Sequence, residues 1–220
     1  ESTLLQETVR RLEPLIPRED MYVIANRSHE PIVREQLPWL APESYVGEPV
    51  GKDTAPAVGV IATVIHHRDP DAVILITPAD HVITREKQFR RILEVAEKVA
   101  SEGPNVVTIG IKPTAPETGY GYIQMTESRR VVDDIEVHRV ASFKEKPDVK
   151  TAEEYVASWQ YVWNSGMFVW SAKTILQLFK EHAPDIYKLL MRYDAAIGTP
   201  MEGKVFEEIY EAFPRISVDY

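Results

Sequence analysis

Ala72-Val73-Ile74-Leu75-Ile76-Thr77-Pro78-Ala79-Asp80-His81 is the stretch whose reading decides the fold. Its first six residues form an unbroken apolar run rich in β-branched side chains, and Pro78 ends it. A short apolar run of this kind predicts a strand over 72–77 covered on both faces, the pattern of a central parallel strand in an α/β domain. Asp80 stands three residues past the strand. Ligands of open α/β sheets sit beyond the carboxyl ends of the strands, so its carboxylate is expected to project into the ligand crevice.

Outward from this strand, strand and helix patterns alternate. A helix is predicted over 58–66, and a longer one follows the strand with Phe89, Ile92, Leu93, Ala96 and Val99 on one face. A strand over 106–111 comes next. Towards the N-terminus, a helix over 3–12 is stopped by Pro14 and Pro17, followed by a strand over 22–25, a helix over 29–37 and a brief strand at Tyr45-Val46. Alternation at these lengths predicts right-handed βαβ units and a Rossmann-like open mixed, mostly parallel sheet flanked by helices. Beyond Lys112 the pattern changes to extended pieces over 122–124, 137–143 and 162–170, before helices resume near Thr174, Ile186 and Val205. With no internal repeat and no long Gly/Ser linker, residues 1–220 are expected to form a single domain. It is expected to be truncated at both ends, because the chain opens inside a helix and stops at Val218-Asp219-Tyr220, where a further strand is expected to begin.

Composition narrows the function classes. A chain of 220 residues with 44% apolar residues can bury a substantial core. The formal net charge of −9 argues against a nucleic-acid surface, which needs clustered Lys and Arg. A small polyanionic substrate is still compatible with that charge if a metal and a few local cations offset it. The absence of cysteine removes disulfides and thiolate metal sites. No apolar run approaches the roughly 20 residues that cross a bilayer, and the N-terminus lacks a signal-peptide layout, so a cytoplasmic protein without membrane attachment is expected.

Several short motifs can carry chemistry, each with an ordinary alternative. Asp80 can hold Mg²⁺, which takes one or two carboxylates with water and phosphate oxygens, or it can be a turn or N-cap aspartate. His81 can be a ligand or base, but is read first as support for Asp80. Glu48-Pro49-Val50-Gly51-Lys52-Asp53-Thr54-Ala55-Pro56-Ala57 is a loop entering a helix, with Thr54 as candidate cap; the helix N-terminus can face an anion or a base edge, or simply be capped. Glu117-Thr118-Gly119-Tyr120-Gly121-Tyr122 offers two glycines for close backbone approach, or a tight turn. It lacks the third glycine of a dinucleotide fingerprint. In Phe143-Lys144-Glu145-Lys146-Pro147, Glu145 can accept sugar hydroxyls and Lys146 can neutralise a phosphate, unless the segment is a solvated strand end. Asn164, inside Trp163-Asn164-Ser165-Gly166-Met167-Phe168, is a polar side chain in an apolar strand and needs a partner in backbone or ligand.

In order and spacing, these motifs together with Ser217-Val218-Asp219-Tyr220 resemble the nucleotidyltransferases that activate sugar 1-phosphates, and the 163–168 run is similar to the mannose-specific members. The resemblance covers nearly the whole chain. It implies transfer of a guanylyl group from GTP to mannose 1-phosphate, giving GDP-mannose and pyrophosphate. Asp80 and Asp219 would hold the Mg²⁺, and the loop with Glu48, Gly51, Lys52 and Thr54 would contact the guanine and ribose. Gly121, Glu145 and Asn164 would hold the mannose, and Lys146 would meet the sugar phosphate. The catalytic set implied is Asp80, Lys146 and Asp219. Homo-oligomer formation stays open. The chain departs from the family pattern in two respects: no Gly-rich loop with Arg and Lys precedes Glu1, and Asp53 stands where Asn is common. Three competing readings remain: activation of another sugar 1-phosphate, a glycosyltransferase that consumes GDP-mannose, and a non-catalytic nucleotide-sugar-binding subunit.

Overall fold

The structure is a computed structural model that describes residues 2–219. In chain order the strands are β1 (Val23–Asn26), β2 (Tyr45–Glu48), β3 (Val73–Ile76), β4 (Val107–Ile111), β5 (Tyr122–Val132), β6 (Ile135–Lys144) and β7 (Tyr161–Ser171). The helices are α1 (Leu4–Leu12), α2 (Glu30–Gln36), α3 (Thr54–Arg68), α4 (Glu86–Ser101), α5 (Val149–Ser158), α6 (Ala172–His182), α7 (Pro184–Asp194) and α8 (Glu202–Ala212).

β7 organises the packing. Successive side chains of a strand point to opposite faces. Phe168 and Trp170 accordingly enter one apolar cluster, with Val58, Phe179, Leu190 and Ile209 from α3, α6, α7 and α8. Met167 enters a second cluster, with Val9, Leu12, Val33, Phe89 and Leu93 from α1, α2 and α4, and Val169 packs on Ala96 and Ala100 of α4. Helices therefore cover both faces of the sheet, the α/β class read from the sequence. The helices follow their local signals. Thr3 and Gln6 form a capping box on α1, and Ser171 caps α6 by accepting from the Thr174 amide at 3.1 Å. α3 is apolar nearly all round, as a helix between layers must be, with Val60, Ile61 and Ala62 all buried.

Strand direction differs from the expectation. β3 pairs antiparallel with β7, which also pairs antiparallel with β4 and β5; β6 extends the sheet beyond β5. Among the described residues, parallel pairing is confined to the separate two-stranded sheet of β1 and β2. The apolar run at 73–76 does have core on both faces, with Ile74 and Ile76 in one cluster and Val73 and Leu75 against the others. Helices above and below a strand produce that run whichever way its neighbour points, so burial could not give direction.

Three local features were not read from the sequence. β5 and β6 form a long hairpin whose two-residue turn is Asp133-Asp134, both at positive φ (47° and 64°), in place of the usual Asn-Gly. Its tip is fastened to α4 by Lys98–Asp133 and Arg91–Asp134 ion pairs. α5 follows the 143–147 motif, capped by Asp148, which accepts from the Thr151 amide at 2.8 Å. The third feature is at the C-terminal end, where the described residues form an irregular segment and a turn rather than a strand; Tyr220 lies outside the described residues. No helix among the described residues is long and apolar enough to cross a membrane.

Candidate functional site

Several of the sequence motifs meet between the head of α3 and the N-terminal half of β7. The irregular C-terminal segment returns to the start of α3, where the Ile216 amide donates to the Lys52 carbonyl at 3.2 Å and the Ala55 amide donates to the Ile216 carbonyl at 3.1 Å. Thr54 is not the cap of α3 but its first residue. Asp53 caps it, accepting from the Thr54 amide at 2.9 Å with φ at 70°. Freed from capping, the Thr54 hydroxyl accepts from the Val218 amide at 2.9 Å and lies 3.1 Å from the Ser217 hydroxyl.

Asp219 is held on both oxygens. Ser217 donates its hydroxyl to Oδ2 at 2.7 Å, and Asn164 donates Nδ2 to Oδ1 at 2.9 Å. The Asn164 amide cannot turn round, because its Oδ1 accepts from the Gly166 amide at 3.1 Å. Asn164 is thus partnered by backbone and by a carboxylate. Its own amide donates to the Gly121 carbonyl at 2.8 Å. A Cβ placed on Gly121 would fall 2.6 Å from Oε1 of Glu145, so glycine is required there for the Glu145 carboxylate to lie against the backbone. Gly166, at φ 69°, sits against Pro78, with a Cβ built there 3.3 Å from Pro78 Cγ. That contact sets the loop leading to Asp80 beside the Asn164 turn.

The remaining candidates are more open. The Asp80 side chain is 79% exposed, with His81 Nε2 at 3.7 Å. Lys146 adopts positive φ (42°) and is exposed. Gly51 has open space around it, and Lys52 Nζ donates to the Glu211 carbonyl at 2.9 Å, tying the loop to α8. Glu48, at the end of β2, is half-buried; its Oε1 is buried without a hydrogen-bond partner, and loss of solvation pushes its carboxyl pKa up. Near it the Tyr210 hydroxyl is also unpartnered, and burial drives its pKa upward, with Glu48 adding to the shift.

Oxygen ligands suit Mg²⁺, and each Asp219 oxygen keeps a lone pair after accepting one hydrogen bond. Among the described residues no three His, Cys, Asp or Glu side chains cluster as a ready metal cage. Mg²⁺ needs few protein ligands, since it borrows the rest of its shell from water and substrate phosphate. Sequence reasoning placed Thr54 in the candidate nucleotide loop but did not foresee that its hydroxyl meets Ser217, which was not among the candidate site residues. The Ser-Val-Asp spacing is a signal for Ser217, since a serine two residues before an aspartate can bond its carboxylate.

The helix-covered sheet, with Asp219, Asn164 and Gly121 joined near the head of α3, makes this an α/β domain of the kind that binds ligands at its strand ends. Residues 1–201 match the nucleotidyl transferase family, and the chain belongs to it. It is 40% identical over 230 residues to mannose-1-phosphate guanylyltransferase of Klebsiella pneumoniae, covering 100% of this chain and 47% of that protein. It is 42% identical over 223 residues to the alginate biosynthesis protein AlgA of Pseudomonas fluorescens, covering 100% of this chain and 45% of that one. The chain thus spans about half the length of these curated relatives. Among solved structures, one from Thermus thermophilus, described as a mannose-1-phosphate geranyltransferase, superposes with a TM-score of 0.83 at 33% identity, over 99% of this chain and 59% of that one. A Helicobacter pylori mannose-6-phosphate isomerase shares the fold, with a TM-score of 0.80 at 24% identity over 99% of this chain and 82% of its own.

Proposed function

We propose that the 220 residues act as one nucleotidyltransferase domain that makes GDP-mannose and pyrophosphate from GTP and mannose 1-phosphate. The observation that carries this reading is the convergence of separate motifs into one hydrogen-bonded row, Thr54, Ser217, Asp219, Asn164 and Gly121, with Glu145 against its end. The relatives in which the whole chain finds its match support the substrates.

In the proposed reaction a phosphate oxygen of mannose 1-phosphate attacks the α-phosphorus of GTP, and pyrophosphate leaves in line. That oxygen is anionic near neutral pH, so no general base is needed, and the protein's task is alignment and charge stabilisation. Asp80 and Asp219 would hold Mg²⁺, which supplies positive charge to the phosphate oxygens. Lys146 neutralises the sugar phosphate. Glu145 accepts sugar hydroxyls, with Gly121 allowing the close approach, and the second hydrogen of Asn164 Nδ2 is available to the mannose. Glu48 is suited to the base, since a carboxylate can accept from both N1–H and the exocyclic amino group of guanine. Gly51, Lys52 and Thr54 complete the nucleotide loop.

Incubation of the protein with GDP-mannose, pyrophosphate and Mg²⁺ tests the reading. Formation of GTP and mannose 1-phosphate is expected. Release of mannose to an acceptor with no GTP formed would make the protein a glycosyltransferase, and binding of GDP-mannose without turnover would make it a non-catalytic subunit.

A further inference from the structure

Thr54 belongs to the proposed nucleotide loop, and its hydroxyl bonds to Ser217 rather than capping α3, so the pair joins that loop to Asp219. Thr54 opens the helix that follows the nucleotide loop, and Asp219 is one of the two proposed metal carboxylates. The connection is direct: Thr54 Oγ1 lies 3.1 Å from Ser217 Oγ and accepts from the Val218 amide at 2.9 Å, while Ser217 Oγ donates to Asp219 Oδ2 at 2.7 Å. A serine has a single hydroxyl hydrogen. Because Ser217 commits it to Asp219, the hydrogen between Thr54 and Ser217 must come from Thr54. The direction of the chain is therefore set: Thr54 donates to Ser217, which donates to Asp219. The Asp219 amide closes back on Ser217 Oγ at 3.4 Å, and Asn164 holds the other carboxylate oxygen. With both oxygens accepting one oriented bond, the remaining lone pairs of Asp219 face a fixed direction.

We propose that Thr54 and Ser217 are positioning residues that act in series on Asp219, so that the seating of the nucleotide loop at the head of α3 sets the orientation, and hence the cation affinity, of that carboxylate. This rests on the reading of Asp219 as a metal ligand. Groups that orient a metal's ligands typically change its affinity by 10–100-fold when removed. A relay in series also has a signature that simple destabilisation lacks: once Ser217 is gone, removal of the Thr54 hydroxyl has nothing left to act through.

The test is Mn²⁺ binding to the protein without nucleotide, read from the electron paramagnetic resonance signal of free Mn²⁺, in wild type, Thr54→Val, Ser217→Ala, the double variant, Ser217→Thr and Asp219→Asn. Expected are a loss of about tenfold or more for Ser217→Ala, a smaller loss for Thr54→Val, no further loss in the double variant, and recovery of affinity in Ser217→Thr. Thermal melting of each variant checks that it is folded. If Asp219→Asn weakens Mn²⁺ while Thr54→Val and Ser217→Ala do not, or if their losses simply multiply, the relay is overturned and the metal assignment stands. If Asp219→Asn itself leaves Mn²⁺ affinity unchanged, the metal assignment falls, and the relay with it.

Discussion

The two carboxylates assigned to one cation are built in opposite ways. Asp219 is part-buried and accepts a side-chain hydrogen bond on each oxygen, from Asn164 and Ser217. Asp80 projects from a loop with 79% of its side chain exposed and His81 Nε2 at 3.7 Å. The first carboxylate is oriented before any ligand arrives. The second is exposed and, in the proposed site, would be ordered only when a cation and phosphate engage it. A fixed ligand supplies geometry at no cost in ordering on binding, whereas a mobile one leaves the crevice open for substrate to enter. The same division separates the loop proposed for the nucleotide, tied to α8 and the C-terminal segment through Lys52 and Thr54, from the proposed sugar side, where Glu145 and Lys146 are exposed.

The largest effect should come from the free partner. Asp80→Ala is expected to cost pyrophosphate exchange on the order of 10²–10³-fold, as removal of one preorganised charge-stabilising group does elsewhere, with an unchanged melting temperature. Full turnover at saturating Mg²⁺ would remove Asp80 from the site. Asp219→Ala should be as damaging to turnover but should also destabilise, by about 1–3 kcal/mol, because Asn164 Nδ2 and the Ser217 hydroxyl each lose an acceptor. Urea unfolding of the two variants side by side is the direct check, and equal stability would erase the contrast between the two carboxylates.

A smaller effect is expected at Glu48. Inosine lacks the exocyclic amino group of guanine, so a carboxylate reading two donors should prefer GTP to ITP in kcat/KM by on the order of tenfold, the scale of a bidentate base contact. Glu48→Gln should collapse that preference, and a preference that survives would assign base reading to the loop backbone. The subtlest effect is on stability. Burial raises the Glu48 carboxyl pKa above its ordinary 4.5, so the charged form is disfavoured in the folded state. Its unfavourable contribution is full well above the folded pKa and vanishes as pH falls through that value to below 4.5. Glu48→Gln should therefore melt slightly higher than wild type at pH 7, with the gap closing in mildly acidic buffer. A gap that widens on acidification would mean the carboxylate is stabilised in the fold.

Much of this protein was legible in its sequence, for identifiable reasons. The helix over 89–99 has a clean apolar face, and α4 occupies it. Pro14 and Pro17 bound α1, and the apolar run before Pro78 is β3. α5 was missed because only Ala152 of its ten residues is buried, which leaves little apolar period to read. The hairpin turn was missed because Asp133-Asp134 carries positive φ without glycine, held by contacts to Arg91 and Lys98 that lie over thirty residues away in the chain.

The sequence by itself determined the α/β class, the positions of most elements and the motifs at the strand ends, because periodicity and turn chemistry are local and record what each face of an element must meet. Only the tertiary structure decided that β3 lies antiparallel to β7, since burial on two faces carries no direction. It alone decided that Thr54 meets Ser217 across 163 residues and that Asn164 meets Asp219 across 55. Those bonds depend on the chain's return to the head of α3, and they hold the Asp219 carboxylate in place while that of Asp80 is left exposed.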